Sequence, residues 1–228
     1  MSTWGPTGPG DTGVGGVADR ARSCHTLGEL AAAARGCTAC PELVASRSTV
    51  VVGETPLGSR VVLVGEAPGA EEDRTALPFV GRSGRLLDEL LGQAGLARAA
   101  PGSVPVDDQP LPVVAVLNVV KCRPPNNRAP LQAETAACAG WLDRQLELLA
   151  PELICTLGLS AMQRFLGRRG TLAAARGRVH RVGGRRQRDM DLIATYHPSA
   201  ALRFGPRGAP RAALQEDLRA VAAYLGRR

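Results

Sequence analysis

The sequence predicts a single-domain, three-layer α/β fold with a mostly parallel central sheet flanked by helices. Short apolar runs typical of buried strands alternate along the chain with stretches in which leucines recur at helical spacing. Such alternation favours parallel strands that are covered by helices on both faces. With 228 residues, of which 44% are hydrophobic, the chain is long enough to bury one full core.

The amino-terminal segment predicts a tail followed by a short helix. Residues 1–23 are rich in glycine and have no apolar periodicity, so we expect a disordered tail that precedes one domain over residues 24–228. Thr26 then occupies the position of a helix N-cap, Glu29 completes a capping box, and Gly36 marks the end of the helix.

Three strand and helix pairs and a β-excursion make up the rest of the chain. Each pair has an apolar run, a break and a helical pattern of apolar residues. The predicted strands are VVLVG, VVAVLNVV and ELICTLG, and the helices that follow them are residues 82–95, 131–149 and 160–166. RVHRV and DLIATY are predicted as further strands, and RAALQEDLRAVAAYL as the closing helix.

Three irregular polar loops follow predicted strands. They are EAPGAEEDRTALPFVG at 66–81, NVVKCRPPNNRAP at 118–130 and HPSAALR at 197–203. In open α/β sheets the ligand lies outside the carboxyl ends of the strands. We therefore expect these loops to converge on one site.

The net charge of +7 is unevenly distributed along the chain. Residues 1–120 carry 9 basic and 13 acidic side chains, whereas residues 121–228 carry 19 and 8. Arg164 to Arg211 includes twelve arginines and two acids. This asymmetry favours a polyanionic partner such as nucleic acid. The alternative is GC-rich coding, because Lys121 is the only lysine among 28 basic residues.

The cysteines indicate a metal or redox feature rather than disulfides. No apolar run approaches the roughly 18 residues of a membrane span, and no export signal precedes the domain, so we expect a cytoplasmic protein with no membrane partner. Cys37 and Cys40 form a Cys-x-x-Cys pair, and Cys122 and Cys138 lie in a second segment. Four thiolates from two segments can close a tetrahedral metal or cluster site.

Spacing alone does not choose between zinc and an iron–sulfur cluster. The alternative for these four cysteines is that they are small buried hydrophobic residues. Cys155 lies in an apolar strand and is expected in the core, and Cys24 is expected to be a free thiol or a backup ligand.

Acidic side chains crowd the first loop, directly after a buried strand. Glu66, Glu71, Glu72 and Asp73 could bind a metal, activate water or stabilise a developing cation, although a solvated acidic loop has the same pattern. GEAPGA lacks the third glycine of a dinucleotide fingerprint and the Gly-Lys-Ser/Thr of a Walker loop. Both nucleotide-binding motifs are therefore excluded.

Three further residues suggest recognition of a planar base. Phe79 in the first loop could stack on a base, or serve as a core anchor. Asn118 ends a buried strand, and its amide offers one donor and one acceptor, the complement of the imide edge of uracil or thymine. His197 could donate to a carbonyl oxygen and stabilise an anion. Loop capping by Asn118 and a structural role for His197 are the alternatives.

Together these loops and cysteines closely resemble the family 4 uracil-DNA glycosylases of the iron–sulfur type. The resemblance covers about residues 30–225, and four motifs occur in the same order: GEAPGAEED with PFVG, NVVKCRPPNNRAP, YHPSAALR and the spacing of the four cysteines. It implies a DNA repair glycosylase that flips uracil out of DNA and hydrolyses its glycosidic bond. Because a lyase-type Schiff base would have to use Lys121, the only lysine, or the amino terminus, we expect a monofunctional enzyme that leaves an abasic site.

The resemblance also implies roles for individual residues. Uracil is bound by Phe79, which stacks on it, by Asn118, which reads O4 and N3, and by His197, which hydrogen-bonds O2. The implied catalytic residues are Glu66, Glu72 and His197, with Gly65 and Ala67 beside the base. DNA is contacted by Arg123, Ser199 and Arg203. A structural [4Fe-4S] cluster is held by Cys37, Cys40, Cys122 and Cys138.

The chain departs from the family pattern at one loop position, where Ala76 replaces the usual glycine. The interval between Cys122 and Cys138 is short and free of histidine, which excludes the insertion of the related covalent-trapping type. Family 5 enzymes have a different first motif and are a poorer match. We expect a monomer that acts on uracil-containing DNA.

Two rival functions remain at this stage. A non-catalytic nucleic-acid-binding module with a structural zinc would explain the charge and the cysteines, but not Phe79, Asn118 or His197. An enzyme acting on free nucleotides would not need the basic carboxyl half.

Overall fold

The computed structural model describes residues 16–99, 111–168, 170–184 and 187–226. Within these ranges the chain forms ten α-helices, six strands and one 3-10 turn at Pro125–Asn127. The helices are α1 Val17–Arg22, α2 Leu27–Arg35, α3 Pro41–Ser46, α4 Ala70–Thr75, α5 Arg82–Gln93, α6 Gln132–Leu149, α7 Leu159–Leu166, α8 Leu172–Ala175, α9 Pro198–Phe204 and α10 Ala209–Leu225. The strands are β1 Val61–Gly65, β2 Ala97–Arg98, β3 Val113–Asn118, β4 Leu153–Leu157, β5 Val179–Gly184 and β6 Gln187–Thr195.

The strands form one sheet in the order β2-β3-β1-β4-β6-β5. All neighbouring pairs are parallel except β5 and β6, which are antiparallel. Every residue of β1, β3 and β4 is buried, because helices cover both faces of the sheet. The predicted α/β fold with a mostly parallel sheet is therefore confirmed.

Alternation along each strand divides the core into two layers. Val62 and Val64 face one layer, in which Trp141 of α6 is buried together with side chains of α1, α2 and α7. Val61 and Leu63 face the other layer, which contains side chains of α5, α9 and α10. The two layers hold the sheet rigidly, so that the loops at its carboxyl edge have a fixed platform.

One expectation for the amino-terminal segment is wrong. Residues 17–22 of the predicted disordered tail form α1, in which Val17 and Ala21 are buried against α6. Arg20 donates a hydrogen bond to the carbonyl of Ala33 at 2.9 Å, which ties α1 to α2. Two apolar residues in six are too few to show periodicity, so tertiary contacts decide this helix. Residues 1–15 of the predicted tail lie outside the described residues.

Short helices also occur where the sequence predicts irregular loops. α4 lies inside the loop at 66–81, and α9 begins inside the loop at 197–203, while α3, α8 and β2 are additional elements. Each of the four helices has eight residues or fewer, which is below the length at which intrinsic propensity alone sustains a helix. Among the described residues, no helix is long and apolar enough to cross a membrane.

A pair of helical glycines tests the packing of α1. A Cβ atom at Gly140 of α6 would lie 2.8 Å from the Cα of Ala18, whereas a Cβ at Gly92 of α5 would have no neighbour within 4 Å. We expect Gly140→Ala to lower the free energy of unfolding by about 1–3 kcal/mol through overpacking. Gly92→Ala should raise it by about 0.5–1 kcal/mol. Urea denaturation of both variants measures this, and equal effects would contradict the packing of α1 on α6.

Candidate active site and cysteine cavity

The site lies at the carboxyl edge of the sheet, where β1 and β3 end side by side. Gly65 and Asn118 are register partners at the ends of these two strands. Beyond the strands, Val119 and Val120 donate backbone hydrogen bonds to the carbonyls of Gly65 and Glu66 at 2.9 and 3.0 Å. The first two loops therefore leave the sheet as a pair.

Phe79 of the first loop lies close to both Asn118 of the second loop and His197 of the third. A Cβ atom at Gly65 would lie 2.5 Å from the Phe79 ring and 2.5 Å from Oδ1 of Asn118. The centroids of the Phe79 and His197 rings are 5.6 Å apart. The predicted convergence of the three loops is thus confirmed. Only glycine fits at position 65, because the Cβ atom of any other residue would clash with the Phe79 ring and with the Asn118 amide.

The Asn118 amide is buried without a protein partner for its oxygen. The residue is 2% exposed, and its Oδ1 accepts no hydrogen bond from the described residues. Buried polar atoms are nearly always hydrogen-bonded, and an unpaired one costs roughly 1–3 kcal/mol. An acceptor held in this state beside an aromatic ring indicates a site for a ligand that donates a hydrogen bond.

The Phe79 backbone has a conformation that is unusual for a bulky residue. Its φ is 51°, in the left-handed region, and its side chain is buried. Such a conformation costs on the order of 1–3 kcal/mol and persists only when the surroundings enforce it. Ala76, at the position where the resemblance implies glycine, has a φ of 60° and ends α4 in the same region.

Glu72 holds the Phe79 loop against the start of α4. One carboxylate oxygen accepts hydrogen bonds from the backbone N–H groups of Val80 and Gly81, both at 2.9 Å, and the other accepts from Gly69 at 3.1 Å. These contacts position the loop. The predicted catalytic role of Glu72 stays a prediction, and its charge is near enough to His197 to raise the pKa of that imidazole slightly.

The acidic residues of the first loop have different surroundings. Asp73 is buried and accepts hydrogen bonds from the backbone of Ser48 and Thr49, and Glu71 forms a surface ion pair with Arg74. Glu66 is partly exposed at the end of β1, and Ser160 donates a hydrogen bond to its Oε2. Glu66 is therefore the carboxylate best placed for chemistry.

Sequence reasoning missed Ser160. It lies at the start of α7, directly after β4, which is the central strand next to β1. Its position just beyond a strand end is the signal that could have found it. Its hydroxyl fixes one carboxylate oxygen of Glu66.

His197 is held as a neutral imidazole with a defined tautomer. Its Nδ1 accepts a hydrogen bond from the backbone N–H of Ser199 at 3.1 Å and lies 2.8 Å from the Ser199 hydroxyl. Burial lowers the pKa of His197 to about 4. A neutral ring whose Nδ1 is an acceptor carries its proton on Nε2. Nε2 is therefore a hydrogen-bond donor at neutral pH.

The three side chains expected to contact DNA lie near the loop ends. Arg203 is exposed on α9, and Ser199 is exposed on the same helix, although its groups also contact His197. Arg123 is partly buried, and its Nε donates to the side chain of Asn127 at 2.7 Å. Of the two arginines, Arg203 is thus the more accessible to a phosphate group.

The arginine-rich stretch is only partly available for phosphate. Four of its arginines form ion pairs within the fold, so their charge is compensated: Arg164 with Asp143, Arg176 with Asp217 and Glu216, Arg181 with Asp191 and Asp189, and Arg211 with Glu89. Arg178, Arg203 and Arg207 are exposed and have no ion pair with the described residues. The net charge of the stretch therefore overstates its phosphate-binding surface.

Four cysteines line one cavity between the two cysteine-bearing segments. They are Cys37, Cys40, Cys122 and Cys138, and Arg47 and Leu43 lie beside them. Arg47 donates a hydrogen bond to Sγ of Cys122 at 2.8 Å, and the backbone N–H of Lys121 donates to Sγ of Cys138 at 3.3 Å. Among the described residues, no group of three or more Cys, His, Asp or Glu is arranged to hold a metal ion.

Burial disfavours the thiolate form of three of the cavity thiols. Burial raises the pKa of Cys40 to about 11 and of Cys138 to about 12, and it raises that of Cys122 as well. Neighbouring cysteines raise these pKa values further. Cys155 lies apart in the core of β4, as expected, and Cys24 is a free buried thiol whose Sγ contacts the Arg20 carbonyl.

The tautomer and charge of His197 can be tested by NMR. Because burial disfavours the charged form, the pKa lies below the ordinary value of 6.5 and the ring stays neutral as the pH falls to about 4. We expect the ring C–H signals that disappear in His197→Gln to titrate with a midpoint near 4. A midpoint near 6.5 for those signals would contradict the buried, neutral ring.

Comparison with known proteins agrees with this geometry. Residues 52–219 match the family model described as the uracil DNA glycosylase superfamily. A Type-4 uracil-DNA glycosylase of Thermotoga maritima is 45% identical over 169 residues, which are 73% of this chain and 78% of that protein. A Type-4 uracil-DNA glycosylase of Pyrobaculum aerophilum is 39% identical over 190 residues, 81% of this chain and 87% of that protein.

A Type-5 uracil-DNA glycosylase of Thermus thermophilus is also similar, at 36% identity over 188 residues, 72% of this chain and 82% of that protein. The matched region includes β1, β3, β4 and α9 and so contains every side chain placed at the carboxyl edge of the sheet. The chain belongs to the uracil DNA glycosylase superfamily.

Proposed function

We propose that this chain is a uracil-DNA glycosylase that hydrolyses the bond between uracil and deoxyribose in DNA and leaves an abasic site. The observation that carries the proposal is the unpaired, buried Oδ1 of Asn118 beside Gly65, Phe79 and His197. The non-catalytic alternative does not account for the grouping of this amide with the Phe79 ring and the neutral imidazole of His197.

The site can select uracil by shape and hydrogen bonding. The ring of Phe79 offers a stacking face, and the absence of a side chain at Gly65 lets that ring and the Asn118 amide lie close together at the end of the two strands. The Asn118 oxygen would accept from N3–H of uracil while its NH2 group donates to O4. Cytosine has no N3–H and carries a donor at its exocyclic position, so it would leave the amide mismatched. That mismatch disfavours the ordinary base.

Bond cleavage needs stabilisation of charge on both fragments. The C1′–N1 bond breaks with its electron pair on uracil, so the base leaves as an anion and the sugar acquires cationic character. Nε2–H of His197 would donate to O2 of the base and stabilise the anion. Glu66, fixed by Ser160, would orient the water that adds to C1′ and stabilise the cationic sugar.

The target nucleotide must leave the DNA duplex before it can enter this site. Extrusion costs a few kcal/mol, and less for a mispaired base. The exposed Arg203 would hold a phosphate, with Arg123 and Ser199 near the same strand. The same proposal takes the protein to act as a monomer. A cytoplasmic location belongs to the same proposal and rests on six unpaired cysteines.

The proposal includes a structural [4Fe-4S] cluster held by Cys37, Cys40, Cys122 and Cys138. The four thiols come in two pairs from two segments of the chain and line one cavity, which suits a group that both segments ligate. The N–H···S contacts from Arg47 and Lys121 suit a sulfur that carries negative charge. When bound, the cluster would supply cross-linking of two chain segments and no step of hydrolysis.

A lyase reaction is disfavoured by the surroundings of Lys121. This only lysine is 1% exposed, and its Nζ donates to the carbonyl of Asn118 at 2.9 Å. Burial lowers its pKa to about 8. An amine enclosed below the base-reading strand has no path to C1′, which supports a monofunctional enzyme.

Uracil release from oligonucleotides tests the function. We expect the purified protein to create alkali-labile sites in an oligonucleotide that contains uracil and none in the matched oligonucleotide with thymine. Asn118→Ala should lower the single-turnover rate by about 100-fold, because the base loses two hydrogen bonds in a buried site. Gln93→Ala, which removes an exposed amide on α5, is the matched control and should retain the wild-type rate.

No release by the wild-type protein, or release from both oligonucleotides, would overturn the proposed function. A near wild-type rate for Asn118→Ala would refute the base-reading role of that residue while leaving the activity intact.

The cluster has its own test, which does not depend on activity. Protein purified without oxygen should be brown and absorb near 400 nm, and Cys138→Ser should lose this absorbance. Cys24→Ser, which changes a buried thiol outside the cavity, should keep it. A colourless wild-type protein that contains zinc would instead support the single-ion alternative.

A further inference from the structure

Arg98 lies in the two-residue strand β2 at one edge of the sheet and uses all five of its N–H donors. Nε and Nη2 donate to the two carboxylate oxygens of Glu54 at 3.1 and 2.9 Å. Nη2 also donates to the carbonyl of Pro78 at 2.7 Å, and Nη1 donates to the carbonyl of Phe79 and to Asp88 at 2.9 and 3.0 Å. A guanidinium has five such donors, so none is left over.

The ion pair of Arg98 with Glu54 is nearly enclosed by protein. The side chains are 11% and 14% exposed, and the contact is bidentate. Glu54 is itself fixed, because its backbone bridges to Val116 of β3. A paired guanidinium in this geometry has a set orientation, and removal of one partner leaves a buried charge.

Two of the five donors reach consecutive carbonyls of the loop that carries Phe79. These carbonyls, of Pro78 and Phe79, lie on either side of the backbone bonds that give Phe79 its φ of 51°. In the same loop, the Glu72 carboxylate accepts hydrogen bonds from the backbone N–H groups of Val80 and Gly81. The segment is therefore held by a cation through its carbonyls and by an anion through its N–H groups.

The loop that carries Phe79 also packs directly against the start of α5, which restricts where its backbone can lie. A Cβ at Gly84 would lie 1.7 Å from the carbonyl oxygen of Phe79, so the backbones are in direct contact. The absence of a side chain at Gly84 makes room for the Phe79 carbonyl, and Arg98 orients that carbonyl through a hydrogen bond. A strained backbone of this kind needs such surroundings to persist.

We propose that Arg98, oriented by Glu54, is a positioning residue that holds the Phe79 ring at the stacking height of the flipped base. The inference rests on the proposed function, and it concerns the ring rather than the chemistry. Arg98 touches neither substrate nor reacting atoms. Lysine cannot replace it, because one ammonium cannot serve two carboxylate oxygens and two loop carbonyls at once.

Single-turnover kinetics and inhibition by free uracil test the role of Arg98. We expect Arg98→Gln to lower the rate of uracil release by about 10-fold and to weaken inhibition by free uracil by a similar factor, because both depend on stacking. Arg98→Lys should not restore either value. The matched control is Arg60→Gln, since Arg60 forms a bidentate pair with Glu152 outside the three site loops. It should leave both values unchanged.

A double-mutant cycle with Phe79→Ala separates positioning from general stability. If Arg98 acts through the ring, Arg98→Gln should have no further effect on rate or inhibition once Phe79 is alanine. Glu54→Gln, which keeps a neutral partner in place, should show the same dependence on Phe79 with a smaller loss. It provides the second test if Arg98→Gln fails to fold.

The outcomes distinguish this inference from the proposed function. Additive losses in the cycle, or wild-type inhibition by free uracil in a folded Arg98 or Glu54 variant, would overturn the role of Arg98 while the wild-type protein still releases uracil. Absence of uracil release by the wild-type protein would overturn the proposed function instead.

Discussion

The in-register pairing of β1 with β3 is the constraint on which the site depends. It places Gly65 directly opposite Asn118 at the last position of both strands. Because Gly65 has no side chain, the Phe79 ring and the Asn118 amide can both pack directly against its backbone. A shift of one residue in this pairing would place a residue other than Asn118 opposite Gly65, with its side chain on the other face of the sheet. The buried strands, with helices on both faces, prevent such a shift.

The site concentrates features that are unfavourable for folding. Asn118 has a buried oxygen that accepts no hydrogen bond from the described residues, Phe79 has a left-handed backbone, and the partly buried His197 is kept neutral by loss of solvation. Each becomes useful only when a planar ligand with a donor and acceptors is bound. Glu72 and Arg98 provide the hydrogen bonds that keep the strained loop in place. The protein thus trades stability for a prepared site.

The cysteine cavity and the base site share one chain segment. Asn118 ends β3, the Nζ of Lys121 donates a hydrogen bond to its carbonyl, and Cys122 follows at the cavity wall. Cys138 receives a hydrogen bond from the backbone of Lys121. A group that ties these cysteines together would therefore fix the loop that leaves the base-reading strand. This proximity gives a physical reason for a structural cluster in an enzyme whose hydrolytic steps use no redox chemistry.

The sequence by itself determined the fold class, the main strands and long helices, and the loops that carry Glu66, Phe79, Asn118 and His197. Periodicity and strand-end position are local properties, so the sequence contains them directly. Short helices such as α1 and α4 escaped prediction because tertiary contacts stabilise them. Only the tertiary structure could separate Glu66, which is partly exposed and bonded to Ser160, from the buried, hydrogen-bonded Asp73.

The tertiary structure also determined which residues form hydrogen bonds with partners that are distant in the sequence. Ser160 reaches Glu66 across 94 residues, and Glu54 reaches Arg98 across 44. It showed that many arginines of the basic half are paired within the fold, which net charge cannot reveal. These contacts depend on how the sheet and its layers bring distant segments together, and no local pattern encodes that. The sequence therefore determined which chemical groups are present, and the packing of the layers decided which of them meet.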